Sequence, residues 1–512
     1  MDSAALNAIT DVDTLRALVA EKVAEIAQRD RTIHHRETKI AQLNAEIMRL
    51  RRAQFSAKSE RMDPDQRSLF DEAMAADIAV VEAELVALRS APVDAPKASS
   101  RKTPQRRALP ADLPRIETRH EPESCDCATC GGALISIGEH VSERLDCEPL
   151  KFFVRRDIYP QYACRTCETI IAEPVAPAIL DRSLAAPGLL AQVVIQKYTD
   201  HLPLYRQEAI FARSGIELSR TTLAEWTGVV GLRLQPLVDV LRSQLLGEPV
   251  LHADETPVAQ LDPGAGKTRR AYLFAYRSTT DAPVVVFDYC PSRASKHAKD
   301  FLGDFRGALM VDDYSGYKAL FQGGITELGC WAHARRTFFD AHKASKSLIA
   351  EEAIRRIAGL YRIEAEAQDL DADARHEYRR RHVRPLLDAF KDWLDDLRPN
   401  VLGNTGVRKA IDYTLKRWSA LVRYLDDGRY PIDNNPIENA IRPIAIGRKN
   451  WLFAGSETAG KRAAAIMSLL ATAKANGIDP HAWLTDVLTR LPTTLDRDIG
   501  DLLPNTWKPA RP

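Results

Sequence analysis

Between residues 250 and 314 four apolar, β-branched runs follow one another with turn residues between them: VLHADETPVAQL, RRAYLFAYRS, PVVVFDYC and GALMVDDY. Runs of this length and composition read as strands, so the middle of the chain builds a mixed sheet. Helical patterning precedes it, from about 187 to 246, and follows it, from about 335 to 425 and again from Pro436 onward apart from the Gly-rich stretch FAGSETAG. Two of the strand runs close on acids, His252-Ala-Asp254-Glu255-Thr256 and Leu309-Met-Val-Asp312-Asp313. An aspartate at a strand end is commonly a turn residue, but it is also placed to hold a cation at a sheet edge. A third acidic element is Asp433-Asn-Asn-Pro436-Ile-Glu438, in which Pro436 suits a first helical turn, so that Glu438 and Arg442 project from one helix face. Three such carboxylates can converge on two magnesium ions about 4 Å apart, the arrangement that serves phosphodiester transfer.

The N-terminal region carries a seven-residue repeat, Val12, Val19, Ile26, Ile33, Ile40 and Ile47, with Leu15, Lys22, Arg29, Arg36, Leu43 and Leu50 as companion positions. β-branched residues at one seam with Leu at the other favour a parallel two-stranded coiled coil and hence a homodimer; a single amphipathic helix packed on its own chain is the alternative. The stretch SAPVDAPKASSRKTPQRRALPADLPR then reads as a linker, since its Pro, Ala, Ser and basic residues cannot build a core.

Cys127-x-x-Cys130-Gly-Gly and Cys164-x-x-Cys167, separated by a β-rich segment, have the spacing of a tetrathiolate zinc ribbon. Four protein ligands leave no open coordination position, so such a zinc is structural. Cys125 could take the place of Cys127 in a shifted register, and Cys147 is left over. Next, LYRQEAIFARSG and SRTTLAEWTGVVGLRL read as two helices joined at a Gly turn, capped by Ser219 or Thr221. This is a helix-turn-helix candidate whose second helix would present Arg220, Thr221 and Thr222 to DNA. Cys330-Trp-Ala-His333 has the spacing of half a zinc site with no second half nearby in sequence, and the expectation is a role in shaping the active site or in binding a flipped or nicked strand.

The formal net charge of +1 does not announce a nucleic-acid partner, but Lys and Arg cluster locally around 49–61, 101–107 and 442–462. No signal peptide is legible and no stretch approaches the roughly 20 apolar residues of a membrane span, so a cytoplasmic protein without membrane attachment is expected. Arg442, Arg448 and Lys449 would meet phosphates near Glu438, and Trp451 either stacks on a base or fills the core.

The strings HADET, VDDYSGY, GCWAHARR and DNNPIENAIRPIAIGRKNWLFAGS, together with RRAQFSAKSER, the CxxCGG segment, DHLPLYRQEAIFARSGIELSRTTLAEW and LLPNTWKP, resemble the insertion sequence 66 family of bacterial transposases over nearly the whole chain. The resemblance implies a multidomain α+β protein with a ribonuclease H-like, retroviral-integrase-type α/β catalytic core and an Asp, Asp, Glu triad, carried here by Asp254, Asp312 and Glu438. Asp313 stands where the family more often has Gly, and Glu255 and Asp433 are lesser rivals for the other two positions. The expected organisation is a coiled-coil region over 1–90, a linker over 91–120, a zinc-binding domain over 121–180, a helix-turn-helix-like block over 185–246, a core over 247–338 and 426–465, a helical insertion over 339–425, and a C-terminal helical segment over 466–512. The implied cofactors are two Mg2+ or Mn2+ ions at the triad and a structural Zn2+. The implied partners are double-stranded DNA, both element ends and target, and small accessory proteins of the same element, with nucleoid association when bound. A DNA-binding regulator would explain the zipper, ribbon and helix-turn-helix but gives no reason for three separated acids; a nuclease acting on cellular DNA would share the core.

Overall fold

The computed structural model describes residues 36–48, a few positions between 78 and 86, 109, 111, 113–121, 134–148, 151–262 and 267–509. Most of the heptad register lies outside these residues, as do Cys125, Cys127 and Cys130. The part that is described, 36–48, is helical, and Leu43 and Ile47, one from each seam, are buried within the single chain.

Strands β1 (Arg115–Arg119), β2 (Leu134–Glu148), β3 (Lys151–Cys164) and β4 (Ile170–Ala172) form the first sheet. β3 is its spine, pairing parallel to β1 and antiparallel to β2 and β4. The chain reverses tightly after β3: the Glu168 N–H donates to the Cys164 carbonyl at 2.9 Å and the Cys164 N–H to that of Thr169 at 2.9 Å. Cys164 and Cys167 therefore sit on one knuckle, and Leu134, four residues after Cys130, pairs with Cys164. Cys147 is instead buried in the main apolar core, its thiol pushed up to about 12 by burial and by neighbouring Asp146.

Four helices follow, α1 (Pro187–Tyr198), α2 (Leu204–Arg213), α3 (Arg220–Arg233) and α4 (Gln235–Leu246). Between α2 and α3 Gly215 takes φ +80°, a left-handed turn that favours glycine. Of the two expected caps Ser219 is the one used, its hydroxyl accepting from Thr222 N at 3.1 Å. α3 is buried along one face, through Leu223, Trp226, Thr227 and Val230, while Thr221, Glu225 and Arg233 are exposed.

The second sheet holds β5 (Val250–Asp262), β6 (Lys267–Ser278), β7 (Val285–Cys290), β8 (Ala308–Val311) and β9 (Thr326–Gly329) in the order β7-β6-β5-β8-β9. The first three are antiparallel; β8 runs parallel to β5 and β9 parallel to β8. Both faces are buried, and the period of two sorts the side chains: Phe274, Tyr276, Val284 and Val286 join the core shared with α3 and α4, while Leu273, Ala275, Val285 and Phe287 pack on the other side. Short helices α5 (Ser295–Leu302) and α6 (Lys318–Gln322) link the later strands.

After β9 the chain leaves the sheet through α7 (Trp331–Ser345), α8 (Leu348–Glu366), α9 (Ala372–His382), α10 (Arg384–Leu397), α11 (Gly406–Lys416) and α12 (Trp418–Val422), which share a core of their own. Trp331 locks this unit to the sheet: it is fully buried, its indole N–H donates to the Leu421 carbonyl at 2.9 Å, and its ring stands edge-on to Trp418. Gly329 permits the close approach, because a Cβ there would lie 2.9 Å from the Leu421 nitrogen.

The chain returns in α13 (Asn435–Trp451), which lays Ile437, Ile441 and Ile444 on the sheet, and continues in α14 (Glu457–Ala475) and α15 (Pro480–Arg490). α14 runs unbroken through the division expected at 465/466. The Ser468 and Thr472 hydroxyls accept from the Phe287 and Val285 N–H groups of the edge strand β7, at 2.8 and 3.0 Å, so the whole helix belongs with the sheet. No helix among the described residues is long and apolar enough to cross a membrane.

Candidate active site

Asp254 does not close its strand as its sequence suggests; β5 runs on to Asp262, sustained by antiparallel pairing with β6 as far as Asp262↔Lys267. On the other side β5 outruns its parallel neighbour. β5 and β8 pair from Val250↔Ala308 to His252↔Met310, and continuing that register by two residues sets Asp254 opposite Asp312, where β8 has just ended. β9 extends the row, since Val311↔Gly329 places Cys330 beside Asp312. Three parallel strands thus deliver Asp254, Asp312 and Cys330 to one line across the sheet.

Glu438 comes from the first turn of α13, and Asn434 fixes that turn over the line. Fully buried, Asn434 donates from Nδ2 to the Ala253 carbonyl at 2.9 Å, meets His252 Nδ1 through Oδ1 at 2.8 Å, and donates its backbone N–H to Cys330 Sγ at 3.2 Å. Burial holds the His252 imidazole down at about 4, so it stays neutral at physiological pH. His252 and Asn434 lie inside the strings HADET and DNNP, yet nothing in the sequence says that residues 182 positions apart are partners.

The rival acids are engaged elsewhere. Glu255 is paired with the Arg293 guanidinium and accepts from the Tyr317 hydroxyl at 2.9 Å. Asp433 accepts from the Tyr361 hydroxyl at 2.8 Å and from Asn435 N at 3.0 Å, tying α8 to the start of α13. Asp313 faces the helical unit, 3.2 Å from Lys416 Nζ and 3.4 Å from Arg417. Asp312, by contrast, accepts from the Tyr314 backbone N–H at 2.8 Å and forms no ion pair among the described residues. Both aspartates line one open cleft of about 600 Å³, together with Arg293, Lys318, Arg336 and Lys416. Glu438 is 3.1 Å from Arg336 and 3.6 Å from His333 Nδ1.

Burial, Glu255, Asp312 and Glu438 push the Asp254 carboxyl up to about 7. A half-buried carboxyl ringed by other carboxyls either keeps a proton or takes a cation, and a set of oxygen donors suits a hard ion such as Mg2+. Since Asp254 has an ordinary value of 3.8, folding takes up a proton between about pH 4 and 7. Its contribution to stability is whole below that window and lost as the pH rises through 7. In metal-free protein Asp254→Asn is therefore expected to raise the melting temperature at pH 8 by about 5 °C and to change it little at pH 4.5. Excess Mg2+ should reverse the order at pH 8, because only the ionised aspartate gains stability from ion binding. An equal difference at both pH values in metal-free protein would show that Asp254 titrates normally.

Of the other residues expected to act, Arg442 and Lys449 are exposed along α13, and Thr221 is exposed at the start of α3 with Arg220 and Thr222 half-buried beside it. Arg448 turns back to the sheet, donating to the Pro257 carbonyl on the free edge of β5 at 2.8 Å. Trp451 packs against the apolar face of the sheet with Ile441 and Ile444, the core alternative of its two expected roles.

The family model described as Transposase IS66 family matches residues 182–462. The zinc-finger binding domain of transposase IS66 matches 124–168, the IS66 C-terminal element 468–505, and the model described as Transposase C of IS166 homeodomain 42–118. Among curated proteins, Uncharacterized protein y4jD of Sinorhizobium fredii (strain NBRC 101917 / NGR234) is 37% identical over 494 residues, covering 92% of this chain and 95% of its own. Uncharacterized protein y4qI of the same strain is 37% identical over 535 residues, covering 98% and 97%.

Proposed function

The chain belongs to the IS66 family of transposases, and from that premise we propose that it binds the terminal inverted repeats of a bacterial insertion sequence and catalyses metal-dependent DNA cleavage and strand transfer with Asp254, Asp312 and Glu438. DNA and a structural zinc are what the family's domains imply. What supports the residue assignment is the β5–β8 register, whose continuation by two residues sets Asp254 opposite Asp312, with Glu438 close enough to help raise the Asp254 carboxyl.

The strand order, three antiparallel strands followed by two parallel ones with helices on both faces, supports a ribonuclease H-type core of the retroviral-integrase kind. On that reading the helical stretch expected over 339–425 is an insertion between the fifth strand and the helix that carries Glu438. The knuckle at Cys164 and Cys167 supports a ribbon completed by Cys127 and Cys130: Leu134 pairs with Cys164, and four residues reach at most about 14 Å.

The triad would hold two Mg2+ or Mn2+ ions, which supply activation of the attacking oxygen and stabilisation of the leaving oxygen. The chain's own residues then have distinct tasks. Asn434 holds the Glu438 turn against β5, and Arg293 engages the Glu255 carboxylate. Lys318, Arg336 and Lys416 offer positive charge to the strand lying in the cleft. Hydrolysis of a phosphodiester exposes a 3′-hydroxyl at the element end. That hydroxyl attacks a target phosphodiester, one P–O bond forming as another breaks, so no nucleotide cofactor is consumed. Outward residues of α3 and of α13, Arg442 and Lys449 among them, contact DNA, the heptad segment pairs two subunits, and small proteins of the same element assist in the cytoplasm.

The test is a strand-transfer assay with Mg2+, a labelled duplex ending in the element's terminal repeat, and a supercoiled target plasmid. Label is expected to enter the plasmid from the repeat duplex and not from a scrambled one. Equal cutting of both duplexes would indicate a general nuclease, and specific binding without cleavage a regulator.

A further inference from the structure

Cys330 and His333 read as half a metal site in sequence; the fold supplies a third donor 105 positions downstream. Sγ of Cys330, a ring nitrogen of His333 and a carboxylate oxygen of Glu438 all lie within 4.8 Å of one another. The elements enforce this. Cys330 is the residue between β9 and α7, so a three-residue step brings His333 round the first turn of α7 to the same side, and Asn434 docks the Glu438 turn directly onto the Cys330 sulfur. His333 Nδ1 and Glu438 Oε1 are both buried atoms without a hydrogen-bond partner among the described residues, and they face each other at 3.6 Å, beyond hydrogen-bond reach. Buried polar atoms left facing each other in this way mark an incomplete site.

We propose that Cys330, His333 and Glu438 form a second transition-metal site, one that takes Zn2+ rather than Mg2+ and switches the transposase off by withdrawing Glu438 from the Asp254 and Asp312 pair. A sulfur, nitrogen and oxygen donor set selects a borderline-soft ion, whereas magnesium prefers oxygen alone. Donors around a tetrahedral zinc stand about 3.5 Å apart with bonds of ~2.0–2.3 Å, so the cluster needs a contraction of about 1 Å to close. As the S–Zn bond forms, the Cys330 thiol proton passes to solvent, and the fourth position is left to water. The metal site rests on the three side chains; the inhibition rests in addition on Glu438 being the third acid.

The experiment uses the full chain, given one equivalent of Zn2+ to fill its zinc finger and then titrated with Co2+ while the thiolate-to-cobalt charge-transfer band is followed. The wild type is expected to develop that band with about one further equivalent. Cys330→Ser should lose the band, and His333→Ala and Glu438→Gln should weaken Co2+ binding at least tenfold. A band unchanged in Cys330→Ser, or absent from the wild type once the finger is filled, overturns the proposal. Terminal-repeat cleavage in Mg2+ is then followed against added Zn2+ in the wild type, where a fall in parallel with site occupancy is expected and full activity at saturation overturns the switch. If Glu438→Ala still cleaves, the triad reading fails while the cobalt result stands; if it is inactive and no band forms, the metal site alone fails.

Discussion

Replacement of Asp254, Asp312 or Glu438 by alanine is expected to lower terminal-repeat cleavage by about 10³-fold or more while leaving the affinity for the repeat within about twofold of wild type. The size follows from the proposal that the three acids act as a unit: if two acids set side by side by the strand register and a third docked over them hold the ions together, losing any one disables the whole. Repeat affinity is expected to be spared because the segments proposed to bind the repeat, the start of α3 and the zinc finger, lie on other elements. Gel-shift and cleavage measurements on the same protein batch separate the two quantities. Retained cleavage in one variant would remove that residue from the triad; a parallel loss of binding would mean that the substitution had damaged the fold.

The second large effect is expected at Arg379. This arginine is almost fully buried, donating from Nε and Nη2 to the Glu364 carboxylate at 2.9 and 2.7 Å, and from Nη1 to the carbonyls of Tyr424, Asp427 and Tyr430 at 2.8, 3.1 and 3.0 Å. Those carbonyls belong to the segment that leads from the helical unit back to Asp433, Asn434 and Glu438. Arg379→Met would leave a half-buried carboxylate without its partner and three acceptors unsatisfied, at a cost of about 3 kcal/mol. The variant is expected to melt well below wild type, to be clipped by protease between 424 and 433, and to cleave DNA at least tenfold more slowly although Arg379 is remote from the acids. The double variant Arg379→Met, Glu364→Met should recover part of the stability, since it removes the stranded charge. A melting temperature unchanged in the single variant would show that the return segment is held by something else.

Four of the five strands of the second sheet were legible because they carry apolar, β-branched runs, as a sheet buried on both faces requires, whereas β9, Thr-Glu-Leu-Gly, is too short and polar to stand out. Asp254 at a strand end was not, because a strand's length depends on its neighbours: β5 ends for β8 after His252 but continues for β6 through ten more residues, as far as Asp262. The family pattern distinguished Asp312 from Asp313, whereas physics distinguishes them only in three dimensions, where Lys416 and Arg417, more than 100 positions away, claim Asp313. The Cys-x-x-His element looked like half a site because its third donor is separated from it by the whole helical unit. The engagement of Arg448 with Pro257 follows from a free strand edge that no local pattern reveals.

The most direct test of the assignment compares Asp312→Ala with Asp313→Ala in terminal-repeat cleavage with Mg2+. The arrangement of the two side chains predicts that Asp312→Ala abolishes cleavage, while Asp313→Ala, which removes an ion-pair partner of Lys318, Lys416 and Arg417, retains at least a tenth of wild-type activity. Cleavage lost in Asp313→Ala and retained in Asp312→Ala would contradict the register that places Asp312 beside Asp254.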